Sequence, residues 1–106
     1  MTLDELRKAV AGGTIDTVLL AIADMEGRLQ GKRFTAAHFL DAVLTHGAEG
    51  CNYLLAVDVD METVDGYAMS SWARGYGDFE MKPDLDTLRP IPWHEATALC
   101  LSLIHI

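Results

Sequence analysis

Two short apolar stretches on either side of a tight turn constrain the fold of this chain more than any other feature. Residues 17–24 (TVLLAIAD) are apolar and contain β-branched side chains, which is typical of a strand covered on both faces. Residues 25–28 (MEGR) supply a turn in which Gly27 takes the positive φ, and residues 28–34 (RLQGKRF) return as a second strand. The sequence therefore predicts a β-hairpin at this point.

A helix is predicted to follow the hairpin directly. Thr35 is a suitable N-cap and Gly47 a suitable stop. The apolar side chains between them recur at helical spacing: Ala36, Phe39, Leu40, Val43 and Leu44. A shorter amphipathic helix is predicted over residues 3–11, where Thr2 and Glu5 are spaced to form a capping box.

Several strands are predicted after the second helix. Residues 52–62 alternate between apolar and mostly acidic side chains, and this period of two is the strongest strand signal in the chain. Residues 77–82 and 97–101 also have strand character. Residues 89–93 (RPIPW) are expected to be extended, because each proline fixes its own φ and disfavours helix in the residue before it.

The order hairpin, helix, further strands is that of a β-grasp domain. A helix packed across one face of a mixed sheet is a common α+β arrangement. We therefore predict an α+β fold with an N-terminal helix in residues 1–14 and a β-grasp domain in residues 15–100.

Composition limits the class of protein. The 106 residues contain sixteen acidic and eight basic side chains, giving a formal charge of −8. This charge argues against nucleic acid and anionic membranes as partners, because both would repel the surface. Cys51 and Cys100 stand far apart without metal-binding spacing, so we expect buried free thiols in a reducing cytoplasm rather than a disulfide. We expect neither a signal peptide nor a membrane-spanning segment, and therefore a cytoplasmic protein.

Outside one loop, few residues suggest a catalytic or metal-binding role. His38 and His46 are expected to be solvated helix residues, since neither has another ligand at metal-binding spacing. His94 and Glu95 could act as a base and its orienting group, but adjacent residues of a strand point to opposite faces. The acidic side chains within residues 52–62 could hold a divalent cation or could form a solvated face, which we favour.

Residues 65–72 (DGYAMSSW) form the loop whose side chains are best suited to binding or catalysis. Asp65 could supply charge for a bound cation, Ser70 or Ser71 hydrogen bonds, and Trp72 a ring face. The residues alone favour a polar connection between two strands over such a binding site.

The chain up to Cys100 resembles the N-terminal β-grasp domain of the glutamine synthetase family. The segment IADMEGRLQGKRF is similar to the family's Asp-x-x-Gly hairpin, and FLDAVLTHGAEG to its helix ending in glycine. The segments AVDVDMETV and GYAMSSWARGYGDF are similar to sequences of the branch that includes γ-glutamyl–polyamine and related glutamate–amine ligases. Six residues of GYGDFEMKPDLDTLRPIPW match a further family motif: Asp78, Pro83, Asp84, Thr87, Pro92 and Trp93.

This resemblance implies a parent enzyme in which ATP and Mg²⁺ or Mn²⁺ activate the γ-carboxylate of glutamate for attack by ammonia or an amine. The ATP and metal ligands are implied to lie mainly in a larger C-terminal domain, so this fragment alone would bind neither and would be inactive. The N-terminal domain is implied to complete the active site of a neighbouring subunit in a homo-oligomeric ring. The matching loop would lend Asp65 as the amine-side acid, with Ser70, Ser71 and Trp72 as substrate-binding residues.

Two alternatives remain: a stand-alone β-grasp module that binds a protein through its sheet edge, and an inactive regulatory homologue. Replacing Trp93 by alanine is expected to destabilise the fold by about 3–5 kcal/mol if the indole is buried.

Residues 101–106 (LSLIHI) have an unusual composition for their position. Read back into codons, they match the end of a widely used transposon-based sequencing adapter. We expect these six residues not to be native. The alternative is an ordinary apolar edge strand.

Overall fold

A computed structural model of the protein describes residues 1–24, 26–51, 60 and 78–105. Within these ranges the chain forms short helices and strands in this order: α1 (Leu3–Ala11), β1 (Thr17–Ala23), β2 (Leu29–Thr35), α2 (Ala36–His38), a π-helical segment (Phe39–Val43), α3 (Leu44–His46), β3 (Ala48–Cys51), β4 (Asp78–Pro83), a 3-10 turn (Leu85–Thr87), β5 (Arg89–Pro90) and β6 (Thr97–His105).

The strands form one mixed sheet. Its order is β2-β1-β6-β4-β3, with β5 paired to β6 beside this path. β1 runs antiparallel to β2 and parallel to β6, and the remaining pairs are antiparallel. The predicted α+β, β-grasp architecture is confirmed. The strand predicted within residues 52–62 lies outside the described residues, apart from Asp60.

Residues 36–46 form one helical run that crosses the sheet, because it follows β2 at one edge and leads into β3 at the other. The Thr35 hydroxyl caps its start by accepting a hydrogen bond from the His38 amide at 3.2 Å. Gly47, with φ of 71°, ends it. The predicted boundaries are confirmed, but the middle turn is a π-helix rather than an α-helix. Phe39 and Val43 of that turn are buried against the sheet.

The N-terminal helix α1 is also as predicted. The Thr2 hydroxyl accepts from the Glu5 amide at 3.1 Å, and the Glu5 carboxylate accepts from the Thr2 amide at 3.0 Å. This bond from the Thr2 amide is the main cause that lowers the pKa of Glu5. Leu6 is fully buried and attaches the helix to the core.

The strand alternation gives the sheet two different faces. In β1, Val18 and Leu20 point towards the helices, whereas Leu19 and Ala21 point away from them. We call these the helix face and the open face. On the helix face, one large cluster is buried: Leu6, Ile15, Val18, Leu20, Ile22, Ala36, Phe39, Val43, Phe79, Met81, Leu88, Ala98 and Cys100. On the open face, a small cluster is buried: Ala21, Ile91 and Leu99.

The segment after β5 departs from the expectation of an extended chain and a buried Trp93. Pro92 and Trp93 lie in a turn, and Trp93 is 64% exposed. The physical reason is the antiparallel pairing of β5 with β6, which forces the chain to reverse over residues 91–96. The Ile91 amide donates to the Thr97 carbonyl at 3.1 Å, and Ala96 adopts a positive φ of 53° within this reversal.

Cys100 is free and buried, as predicted for this cysteine. Burial raises the pKa of its thiol. The side chain of Cys51 lies outside the described part of the chain.

Strand β6 continues through residues 101–105. Its last four residues pair with β4, with Ser102 opposite Pro83. The Ser102 hydroxyl is buried and, within the described residues, has no hydrogen-bond partner. Strand pairing is made by the backbone, so it does not distinguish native residues from non-native ones. The assignment of residues 101–106 as non-native therefore stays a prediction.

Candidate functional site

The predicted site residues Asp65, Ser70, Ser71 and Trp72 all lie outside the described residues. The structure describes the residues on either side of the connection that contains them, Cys51 and Asp78, which we call the base of the connection. This connection consists of residues 52–77, between β3, which is described as far as Cys51, and β4, which begins at Asp78. Cys51 and Asp78 are register partners on neighbouring strands β3 and β4, so the two ends of the connection are held side by side.

The base of this connection is closely packed around Phe79. Its ring lies across β3 directly over Gly50, where a Cβ atom would stand 2.6 Å from the ring carbon Cζ. Only glycine therefore fits at position 50 without moving the ring, which is 1% exposed. At the other end of β3, a Cβ atom on Gly47 would stand 2.9 Å from the Met81 carbonyl. These contacts fix β3 against β4 and hence the spacing of the loop ends.

A cleft of about 640 Å³ opens beside the base of the connection. Its floor is apolar and includes Val43 and Phe79, both buried. Polar and charged side chains line the remainder: Lys32, His38, His46, Glu49 and Glu80. Such a mixture can hold a small molecule with an ammonium group, because the carboxylates attract it and can accept its hydrogen bonds.

Sequence reasoning missed the carboxylates of this cleft. Glu49 and Glu80 are register partners on β3 and β4, but they stand far apart in the sequence. No local motif joins them, so only strand pairing brings them together. His38 and His46 are exposed, as predicted, although both lie on the cleft wall.

Asp24 is the aspartate of the Asp-x-x-Gly hairpin motif, but the sequence did not predict the role of its side chain. One carboxylate oxygen, Oδ1, accepts from the amides of Glu26 and Arg28, both at 2.9 Å. The other, Oδ2, accepts from Arg28 Nε at 2.9 Å and from Gln30 Nε2 at 3.2 Å. The Asp24 side chain is only 1% exposed. It therefore fastens the β1–β2 turn, in which Gly27 has φ of 76° as predicted.

Two opposing effects act on the pKa of Asp24. Desolvation is the largest single effect and raises the pKa, whereas the hydrogen bonds from Arg28, Gln30 and Glu26 lower it. The hydrogen bonds together outweigh desolvation, so the pKa lies below its ordinary value. Asp24 is consequently a charged structural residue of the hairpin.

The Pro-Asp-x-x-Thr motif also has a structural role here. The Thr87 hydroxyl donates to the Asp84 carbonyl at 2.7 Å and accepts from the Leu101 amide at 2.8 Å. The Asp84 carboxylate accepts from the Asp86 amide at 3.2 Å. Together these bonds clip the 3-10 turn onto β6. Asp84 and Thr87, two of the residues that carry the family resemblance, thus stabilise the fold in this segment.

Within the described ranges, no three His, Cys, Asp or Glu side chains stand close enough to hold a metal ion together. Among the same residues, no helix has the length and apolar character needed to cross a bilayer.

Known proteins with similar sequences are ligases. A γ-glutamylethanolamide synthetase of Streptomyces coelicolor is 68% identical over 99 residues, which cover 93% of this chain and 21% of that protein. A glutamate–isopropylamine ligase of a Pseudomonas species is 36% identical over 97 residues, covering 92% and 21%. The type-1 glutamine synthetase 2 of Dictyostelium discoideum is 30% identical over 84 residues, covering 79% and 16%. No protein-family model matches the chain.

Solved structures support the same fold. GmaS without ligand superposes with a TM-score of 0.64 at 20% identity, covering 94% of this chain and 20% of that one. The GmaS–ADP complex gives the same TM-score at 19% identity.

The fold and these relatives define the class as a β-grasp domain that is similar to one part of known carbon–nitrogen ligases. The chain is a homologue of the glutamine synthetase family, and the resemblance seen in its motifs is confirmed. It spans about one fifth of the length of the first curated relatives it matches, as expected for an N-terminal domain.

Proposed function

We propose that this chain is the N-terminal domain of an ATP-dependent ligase that joins the γ-carboxylate of glutamate to an amine. The observation that carries this proposal is the 68% identity to a γ-glutamylethanolamide synthetase over 93% of the chain. The parent would use ATP with Mg²⁺ or Mn²⁺, assemble as a homo-oligomeric ring and work in the cytoplasm.

We propose ethanolamine as the amine acceptor, with ammonia and polyamines as poorer substrates. Two relatives are named for small amines, ethanolamine in one and isopropylamine in the other. The much higher identity to the first favours an acceptor that also carries a hydroxyl group. A hydroxyl on the substrate gives an enzyme a basis for strong discrimination, because a polar partner left unpaired in the site is costly.

The ligands for Mg²⁺ or Mn²⁺ and ATP would lie mainly in the remainder of the parent, as the family resemblance implies. Bound there, ATP and the metal would activate the γ-carboxylate as an acyl phosphate. This domain would hold residues 52–77 at a neighbouring active site, through the pairing of Cys51 with Asp78.

Within that connection, Asp65 would attract the protonated amine and accept its proton before the amine attacks. Ser70 and Ser71 would offer hydrogen bonds, and Trp72 a ring face for the cation. A charged amine is not a nucleophile, so a nearby carboxylate has a direct part in the chemistry.

The test uses the full-length parent with glutamate, ATP and a series of amines. We expect Asp65→Asn to lower kcat/KM for ethanolamine by about 10²-fold, the usual scale for loss of a general base. The KM for glutamate should change little. The product is followed by mass spectrometry and ADP release by a coupled assay.

Asp41→Asn is the matched control, since Asp41 is an exposed carboxylate on the crossing helix. Amine kinetics that stay the same in Asp65→Asn would remove Asp65 from the site. A parent that forms no γ-glutamyl amide with any amine would refute the proposed function.

A further inference from the structure

The cleft beside the base of the connection carries opposite charges at its two ends. At one end are Lys32 of β2 and His38 at the start of the crossing helix. At the other end are Glu49 of β3 and Glu80 of β4. The volume of about 640 Å³ lies within the range of sites for small molecules. The cleft is therefore large enough for a ligand that carries two different charges.

The basic end is held together by strand alternation and a ring contact. Lys32 and Phe34 are two residues apart on β2 and therefore share one side of the strand. The ring centroid of Phe34 lies 5.7 Å from that of His38. This end consequently combines an ammonium group and an imidazole beside an apolar ring, and an anionic group can accept hydrogen bonds from both.

The acidic end lies where the crossing helix ends. Glu49 and Glu80 are register partners, and like charges directly opposite each other on paired strands repel. The Glu80 carboxylate lies close to Gly47, since a Cβ atom added there would stand 3.2 Å from Oε1. A helix C-terminus also carries partial negative charge. Among the described residues, no salt bridge neutralises either carboxylate, so an ammonium group bound here would relieve the repulsion.

A π-helical turn aligns the wall that joins the two ends. His46 stands eight positions after His38, and both line the cleft. In a regular α-helix this spacing would turn the two side chains about 80° apart, because each residue advances about 100°. The Leu44 amide instead bonds to the Phe39 carbonyl, five residues earlier, and this wider turn takes up one extra residue. Both imidazoles therefore face one side of the helix, and such turns are frequent at functional sites.

We propose that this cleft binds a small zwitterion whose ammonium and anionic groups are separated by a short apolar chain, as in an ω-amino acid. The ammonium group would pair with Glu49 and Glu80. The anionic group would pair with Lys32 and His38, and the methylene chain would lie over the apolar floor of the cleft. The site consists of residues of this chain, so the inference goes beyond the proposed function and does not depend on it.

The length of the cleft selects among such molecules. His38 and His46 are about 12 Å apart along the helix axis, at about 1.5 Å per residue. An extended six-carbon chain separates its ammonium and carboxylate groups by roughly 7 Å, and a charge-assisted hydrogen bond of about 2.8 Å at each end extends this to about 13 Å. The six-carbon ω-amino acid, 6-aminohexanoate, therefore matches the cleft, whereas glycine is too short to pair with both ends.

The experiment measures binding to the full-length parent by isothermal titration calorimetry. Glutamate, ADP and Mg²⁺ are present at saturating concentrations, so that the titration does not report on the sites proposed for them. The probes are the linear ω-amino acids from glycine to 6-aminohexanoate. We expect the affinity to rise by up to about fourfold for each added methylene, the scale for burying one such group. Hexylamine and hexanoate, which carry one charge each, should bind at least about tenfold more weakly than 6-aminohexanoate.

Conservative variants locate the site. Glu80→Gln and Lys32→Gln should each weaken the binding of 6-aminohexanoate by at least about tenfold, because each removes a charged hydrogen-bond partner. Glu80→Gln should still bind hexanoate as the wild type does, and Lys32→Gln should still bind hexylamine, which a misfolded domain would not. Glu95→Gln and Lys8→Gln are the matched controls with unchanged binding, since both residues are exposed and lie outside the cleft lining.

Two results would overturn the proposal. One is a parent that does not bind 6-aminohexanoate, or that binds glycine equally well. The other is binding of 6-aminohexanoate that neither Glu80→Gln nor Lys32→Gln weakens, because the zwitterion would then occupy another site. Neither result bears on amine ligation, whose absence refutes the proposed function alone.

Discussion

The two faces of the sheet are built from the same strands but are covered differently. On the helix face, α1 and the crossing helix bury thirteen residues in one continuous cluster. Among the described residues of the open face, three form the buried cluster, and Trp93 and Leu29 stand exposed beside them. Within the described ranges, the helices cover one face of the sheet, while large apolar side chains of the other face lie in water. Strand alternation makes both faces apolar, but the elements packed over a face decide whether it is buried.

The strongest way to test this comparison is to remove a large side chain from the covered face. Phe39 is fully buried on the helix face. We expect Phe39→Ala to lower the free energy of unfolding by about 3–5 kcal/mol, because it leaves a cavity in a closely packed core. Urea denaturation measures this loss. Leu40→Ala, at a partly buried neighbour, should cost clearly less. Equal losses at both positions would contradict the assigned helix face.

A second test adds a methyl group to strand β2 at Gly31, where β2 pairs with β1. Gly31→Ala should destabilise the protein by about 1–3 kcal/mol, because the added Cβ meets the backbone of β1 and cannot be accommodated by a rotamer change. Gly12→Ala is the control, since its nearest neighbouring atom would be at 3.4 Å and its φ is −82°. The two variants are compared by denaturation. A neutral Gly31→Ala would show that β1 and β2 separate easily.

A third test acts on the hairpin, whose register decides which residues face which side. The folded pKa of Asp24 lies below its ordinary value of 3.8, so its charged form stabilises the fold. This contribution is fully present above pH 3.8 and is lost as the pH falls through the lower, folded pKa. Asp24→Asn should therefore differ from the wild type most at neutral pH and least in strong acid.

Denaturation curves of the wild type and Asp24→Asn at several pH values measure this convergence. Asp41→Asn, at an exposed helical position, serves as the control. Its free energy of unfolding should differ from that of the wild type by a constant amount at every pH. A difference between wild type and Asp24→Asn that is constant down to strong acid would show that the charge of Asp24 does not stabilise the hairpin.

The smallest effect is expected on the open face. Trp93→Ala should change the stability of this domain by no more than about 0.5 kcal/mol, because the side chain is mostly exposed. This expected loss is smaller than the loss of about 3–5 kcal/mol predicted for a buried indole. Thermal and urea denaturation of Trp93→Ala and Phe39→Ala measure the difference in stability. A loss as large as that of Phe39→Ala would mean that the indole is covered within the domain itself.

Local features of the fold were predictable because their causes are local. The capping box at Thr2 and Glu5, the turn at Gly27 and the helix between Thr35 and Gly47 each depend on residues a few positions apart. Glu49, Glu80 and Asp24 were not predicted, because their roles come from strand pairing or from several donors meeting at one side chain. The predicted site at Asp65 stays a prediction.

The sequence by itself determined the order of the hairpin, the crossing helix and the later strands β4 and β6, and through its motifs the family resemblance. Hydrophobic period, caps and turn residues act over a few residues, so they can be read without coordinates. Only the tertiary structure decided that Trp93 and Leu29 are exposed to solvent. It also decided that Ala21 and Gly31 are paired across β1 and β2. The reason is that exposure depends on what packs over a face, and strand alternation supplies two apolar faces without saying which one the chain will cover.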